Sequence, residues 1–185
     1  MPTPARCRSG STDATRTEPI GMAERDRIAA PDQRIAAITL DEHTVVRRNV
    51  DIEHERTMAI TDLLNDNSFA PASGHRGPFH VHLAIEENRL NLGICSTADG
   101  SHEVIVLPLA PFRRIVKDYF IVCESYYQAV HSGRLAQVEA IDMGRRGLHN
   151  EGSQLLMERL ADKVVIDHAT ARRLFTLICV LHLRG

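Results

Sequence analysis

Between Phe79 and Leu107 three short segments alternate apolar and polar residues, and the links between them are too short to hold a helix. The segments are Phe79–Ile85, Arg89–Cys95 and His102–Leu107. A Glu-Glu-Asn turn joins the first two, and Thr97-Ala98-Asp99-Gly100, with its Asp-Gly pair, joins the second to the third. Phe79, Val81, Leu83 and Ile85 recur every second residue, which puts them on one face of a strand. Strands joined by turns this short run antiparallel, because a parallel neighbour needs a crossover. The stretch therefore predicts an antiparallel meander with one apolar face, and helices must cover that face.

The helices are legible on either side. Arg34–Leu40 reads as one more short strand. Asp51 is a good N-cap for a helix to about Asn65 that buries Ile52, Ala59, Ile60, Leu63 and Leu64. Residues 68–78 read as a loop. Pro111 opens a helix in which Phe112, Ile115, Val116, Tyr119, Phe120, Cys123, Tyr127 and Val130 form one broad apolar face, and Gly133 ends it. A further helix is expected from Leu135 to about Ala161, then a short strand at Val164–Ile166. Asp167 caps a final helix that buries Leu174, Leu177, Ile178 and Leu181. The class is α+β: a small antiparallel β-meander packed on one face by several helices, with a mostly helical C-terminal half.

A chain of 185 residues fits one domain that buries a core without disulfides or metal. Residues 1–33 are rich in Thr, Ser, Pro, Arg and Ala without apolar periodicity, so a disordered tail is expected there and a single domain over 34–185. Met22 is the expected start, with residues 1–21 then an over-extension. The four cysteines, Cys7, Cys95, Cys123 and Cys179, show neither a disulfide framework nor metal-ligand spacing. With no apolar run of signal-peptide or membrane length, the expected location is cytoplasmic and no membrane partner is expected.

Charge argues against one class of partner. The net charge of -2 argues against a protein that coats nucleic acid. Residues 34–109 sum to -5 and residues 110–185 to +3, which leaves room for a local anion site in the second half.

That site is expected in Asp142-Met143-Gly144-Arg145-Arg146-Gly147-Leu148-His149-Asn150-Glu151-Gly152-Ser153. Two arginines, a histidine and several polar groups stand among three glycines, each costing about 1 kcal/mol in a helix interior relative to alanine. Two backbones fit. A continuous helix stacks Arg145, His149 and Ser153 on one stripe. A helix broken at Gly147 makes Asn150 the N-cap of a second helix, whose free N–H groups join Arg145 and Arg146 around an anion. The broken form accounts for the glycines and Asn150 together, and is the one favoured here. Against both stands a structural reading, in which Arg145 and Arg146 pair with Asp142, Glu139 or Glu151 and His149 caps a helix end.

Other candidates are weaker. His80 and His82 share one strand face without a ligand-spaced carboxylate or cysteine, so no metal is expected. Glu53-His54-Glu55-Arg56 lacks the HExxH pattern and reads as a salt-bridged surface. Gly152-Ser153-Gln154 is not a nucleophile elbow. Tyr126-Tyr127 offers an aromatic contact surface, or one ring to the core. No phosphate-binding glycine pattern follows a strand, so no cofactor is expected.

Several blocks also resemble a known family. They are Glu53-His54-Glu55-Arg56, Ile85-Glu86-Glu87-Asn88-Arg89-Leu90, Pro111 through Phe120, Cys123-Glu124-Ser125-Tyr126-Tyr127, Ile141 through Leu160, and Leu174 through Gly185. From Arg34 onward the chain resembles a family of uncharacterised alphaproteobacterial proteins, whose members begin near Met22. The resemblance implies kinship and a bacterial cytoplasm, and it supplies neither activity nor catalytic residues.

Two functions follow from the residues. One is a binding or regulatory domain that recognises an anionic group or a partner protein through Arg145, Arg146, Asn150 and Ser153, aided by the Arg113/Arg114/Lys117 face. The other is an enzyme acting on a phosphorylated or carboxylated metabolite, with His149 as general acid/base and Glu151 orienting it. The glycine-containing helix also suggests a homodimer through close packing.

Overall fold

A computed structural model describes residues 31–41 and 50–182. Most of the tail expected over residues 1–33, the start expected at Met22 and the last three residues lie outside the described residues. The elements are β1 (Ile35–Leu40), α1 (Val50–Asn65), β2 (Phe69–Pro71), β3 (Phe79–Glu86), β4 (Arg89–Ser96) and β5 (His102–Pro108). A 3₁₀ turn at Ala110–Phe112 leads into α2 (Arg113–His131), followed by α3 (Leu135–Leu160), β6 (Val164–Ile166) and α4 (His168–His182).

The meander forms as expected. β3 pairs antiparallel with β4 from Phe79–Ser96 to Glu86–Arg89, and β4 pairs with β5 from Arg89–Pro108 to Cys95–His102. The β3–β4 link is a two-residue turn in which both Glu87 and Asn88 adopt positive φ (47° and 60°). That conformation matches the twist of the flanking strands. The sheet order is β1-β3-β4-β5, and β1 lies parallel to β3. The sheet is therefore mixed, because α1 supplies the crossover that a parallel neighbour requires.

One face of the sheet is buried. Val81, Leu83, Leu90, Leu92, Ile94, Ile105 and Leu107 point beneath it and join Leu63, Leu156, Leu174, Phe175 and Ile178 from the helices. The other face carries Thr39, His80, His82, Cys95, His102, Val104 and Val106, none of them fully buried. α4 is the innermost helix. Ten of its residues, including the unbroken run Leu174–Leu181, are buried, as expected of a helix apolar all round. Asp167 caps it as expected, its Oδ1 accepting from the Thr170 N–H at 2.7 Å.

Two expectations change. The region 68–78 is not wholly loop: β2 pairs antiparallel with β6, Phe69 opposite Ile166 and Pro71 opposite Val164. Phe69, fully buried, packs edge-on against Phe79 at 5.7 Å. The second change concerns α3, which is one unbroken helix of 26 residues. Asn150 is consequently a mid-helix residue, caps nothing, and exposes no free N–H groups to an anion.

The three glycines of α3 have different reasons. A Cβ on Gly152 would stand 2.2 Å from the Phe175 ring, so glycine there lets α3 and α4 approach closely. A Cβ on Gly144 or Gly147 would meet nothing within 4 Å. Contact inside the chain thus explains one glycine and not the other two. Gly152→Ala is expected to destabilise the protein by about 1–3 kcal/mol through overpacking. Gly144→Ala and Gly147→Ala should each stabilise it by about 0.5–1 kcal/mol through helix propensity. Urea unfolding of the three variants checks both signs.

Candidate functional site

An unbroken α3 places Asp142, Arg145, Arg146 and His149 on neighbouring turns of one face, turned toward α1 and α4. The Asp142 carboxylate accepts from Arg145 Nε and Nη2 at 3.2 and 3.0 Å through Oδ1, and from Arg146 Nε at 2.8 Å through Oδ2. Burial alone would raise the Asp142 pKa, but the two guanidiniums hold it below the usual carboxylate range. Arg145 also reaches across to α1, donating to Glu55 Oε1 at 3.1 Å. The same oxygen accepts the Tyr127 hydroxyl of α2 at 2.8 Å. Tyr126 lies under the Arg145 guanidinium at 4.9 Å. Arg145 is thereby satisfied on three sides and holds α1, α2 and α3 together. It has little left for a ligand.

His149 sits one turn further along, 8% exposed. Its ring packs edge-to-face with Tyr119 at 5.0 Å and Phe175 at 6.3 Å, and Thr176 Oγ1 lies 3.5 Å from Nδ1. Burial lowers its pKa from 6.5 to about 4, helped by the positive charges of Arg145 and Arg172. At neutral pH the imidazole is uncharged.

The remaining expected site residues disperse. Ser153 is fully buried, donates to the Asn150 carbonyl at 3.0 Å, and lies 3.1 Å from His168 Nε2. Its single proton being used, the His168 ring must donate from Nε2 in that contact. Asn150 is exposed. Glu151 is exposed on a different side of α3, beside Pro111, Arg114 and Gln154, and makes no contact with His149. The Arg113/Arg114/Lys117 face is separate as well: Arg113 donates to Asn88 Oδ1 at 3.2 Å, and Arg114 stands 3.7 Å from Asp118.

What gathers instead is a cleft of about 330 Å³ between α1, α3 and α4. α1 contributes Glu55, Met58, Ala59 and Asp62, α3 contributes Arg145, Arg146 and His149, and α4 contributes Ala169, Arg172, Arg173 and Thr176. Arg173 is engaged by the Asp66 carbonyl. The half-buried Arg172 guanidinium has no hydrogen bond or ion pair among the described residues. The sequence reading passed over Arg172, Arg173 and Thr176. The available signal was an arginine pair inside an otherwise apolar helix, one turn before a buried threonine.

On the open sheet face, the Thr39 hydroxyl lies 3.2 Å from His80 Nε2 and 2.9 Å from His82 Nδ1. Among the described residues no group of three His, Cys, Asp or Glu side chains is placed to hold a metal ion. Nor is any described helix long and apolar enough to cross a membrane.

Residues 32–184 match the model of the uncharacterised protein family UPF0262, and the chain belongs to that family. A UPF0262 protein of Rhodospirillum rubrum is 60% identical over 148 residues, covering 80% of this chain and 91% of the relative. One from Azorhizobium caulinodans is 54% identical over 158 residues (84% and 97%), and one from Rhodopseudomonas palustris BisA53 is 56% identical over 161 (85% and 98%). No solved structure matches the chain.

The depressed His149 pKa has a consequence for stability. Between pH 6.5 and about 4 the unfolded chain takes up a proton at this position that the folded protein refuses. Stability therefore falls as pH drops through that window, by on the order of 3 kcal/mol in full. Burial lowers the His182 pKa too, and it adds in the same direction. Unfolding free energies across pH 4–7 should show this slope, and His149→Gln should remove the larger part of it.

Proposed function

We propose that this UPF0262 protein is a small binding domain whose cleft between α1, α3 and α4 receives an anionic group on a small molecule or partner. The observation that carries this reading is Arg172. A half-buried guanidinium with no hydrogen bond or ion pair among the described residues lines a cavity that also holds Thr176, the neutral His149 ring and the carboxylates of Glu55 and Asp62. A carboxylate or phosphate would find there a charge-assisted partner in the Arg172 guanidinium, while the Thr176 hydroxyl already donates to the Arg172 carbonyl at 3.1 Å. Arg145 and Arg146 take a supporting part, fixing the cleft wall through Asp142 and Glu55. Asn150 and Ser153, facing elsewhere, are not part of this site.

Catalysis is the less supported reading of the same cleft. Glu151 lies outside it and cannot orient His149. A base with a pKa of about 4 is also poorly matched to proton transfer near neutral pH. The free thiols Cys95, Cys123 and Cys179 suit a reducing compartment, which supports a cytoplasmic place.

Thermal unfolding of the full chain with inorganic phosphate, phosphorylated metabolites and dicarboxylates tests the proposal. A bound anion raises the midpoint by mass action, with about 2.7 kcal/mol gained at a hundred times Kd. Arg172→Ala should leave the ligand-free midpoint nearly unchanged and abolish the shift. Arg145→Ala should lower the ligand-free midpoint, because Glu55 and Asp142 each lose a partly buried ion-pair partner. An anion-dependent shift that survives in Arg172→Ala would overturn this assignment, as would the lack of any shift across the whole series.

A further inference from the structure

The two edges of the four-stranded sheet are built differently. At β1 the pairing with β3 slips between Ile35 and Ala37, an irregularity that disrupts the ladder at that edge. At β5 seven consecutive pairs with β4 run unbroken, and among the described residues nothing pairs with the outer side of β5. Its centre, Val104-Ile105-Val106-Leu107, carries none of the charges that ordinarily blunt an exposed edge. Val104 and Val106 stand 53% and 45% exposed on the uncovered face.

We propose that β5 pairs antiparallel with β5 of a second copy of this chain, about a two-fold axis at Ile105, so that two four-stranded sheets become one continuous sheet. The strand's own sequence selects the occupant. Opposite residues of an antiparallel pair point to the same face. A seven-residue strand pairs over its full length with its own copy only about its middle residue, which here is Ile105. That register sets Val104 against Val106 of the second copy, twice over, and Ile105 against Ile105. Glu103 meets Leu107, and His102 meets Pro108. No like charges face each other, and each exposed valine gains an apolar cross-strand neighbour. Glu103 keeps its bond with Ser73, 2.8 Å away. The interface lies on the sheet edge, away from the glycine-containing α3.

Sedimentation of the full chain across the micromolar range tests the pairing. The expected species has twice the 20.6 kDa chain mass, and the double variant Val104→Lys/Val106→Lys reverts to a monomer with an unchanged far-UV spectrum. Amide exchange gives a readout without mutation: some β5 amides should be protected in concentrated wild-type protein and lose that protection on dilution. A monomer at every concentration would overturn the proposal. So would a dimer that survives the double substitution, or β5 amides whose exchange is independent of concentration.

Discussion

Burial of α4 on every side is the constraint on which the rest of the packing depends. A helix buried from Leu174 to Leu181, with Thr176 its one polar residue in that run, has little to offer water, so other elements must wrap it. The sheet covers one side, α1 and α3 take others, and Gly152 lets α3 come down onto the Phe175 ring. The same close approach presses His149 between Tyr119 and Phe175, and burial there lowers its pKa to about 4. The polar groups of the cleft thus owe their positions to an apolar requirement next door.

The electrostatics of the cleft divide its arginines by role. Arg145 and Arg146 share Asp142, and Arg145 also holds Glu55, so both belong to the framework. Removing Arg145 would leave Asp142 with Arg146 alone and Glu55 with the Tyr127 hydroxyl alone among the described residues, a larger perturbation than loss of an exposed pair. The Arg172 guanidinium has no such pairing among the described residues. Arginine count is a poor guide to function here, and the partner of each guanidinium is a better one.

The meander, the four helices and their order were legible because each rests on a local signal: alternation in Phe79–Ile85, an Asp-Gly turn, Pro111, Asp167. What escaped was set by contacts between distant segments. β2 becomes a strand only because Val164–Ile166 lies beside it. Gly147 and Asn150 look like a helix break locally, yet the burial of Leu148, His149 and Ser153 against other helices carries α3 straight through. For the candidate site, the sequence singled out Arg145, Arg146 and His149 within the correct element. It could not show that Glu55 lies 90 positions from the arginine it binds. Nor could it bring Arg172 to the same cavity, since that follows from how α4 crosses the other helices.

The small β2–β6 ribbon has a mechanical meaning. It follows α1 and precedes α4, and it is reinforced by Ser68 N–H donating to Thr170 Oγ1 at 3.0 Å and by Arg173 donating to the Asp66 carbonyl. The end of α1 and the start of α4 are therefore stitched together beside Asp62 and Ala169. That tie fixes the end of the cleft lined by Asp62 and Ala169, as the Arg145–Glu55 pair fixes α1 against α3 further along.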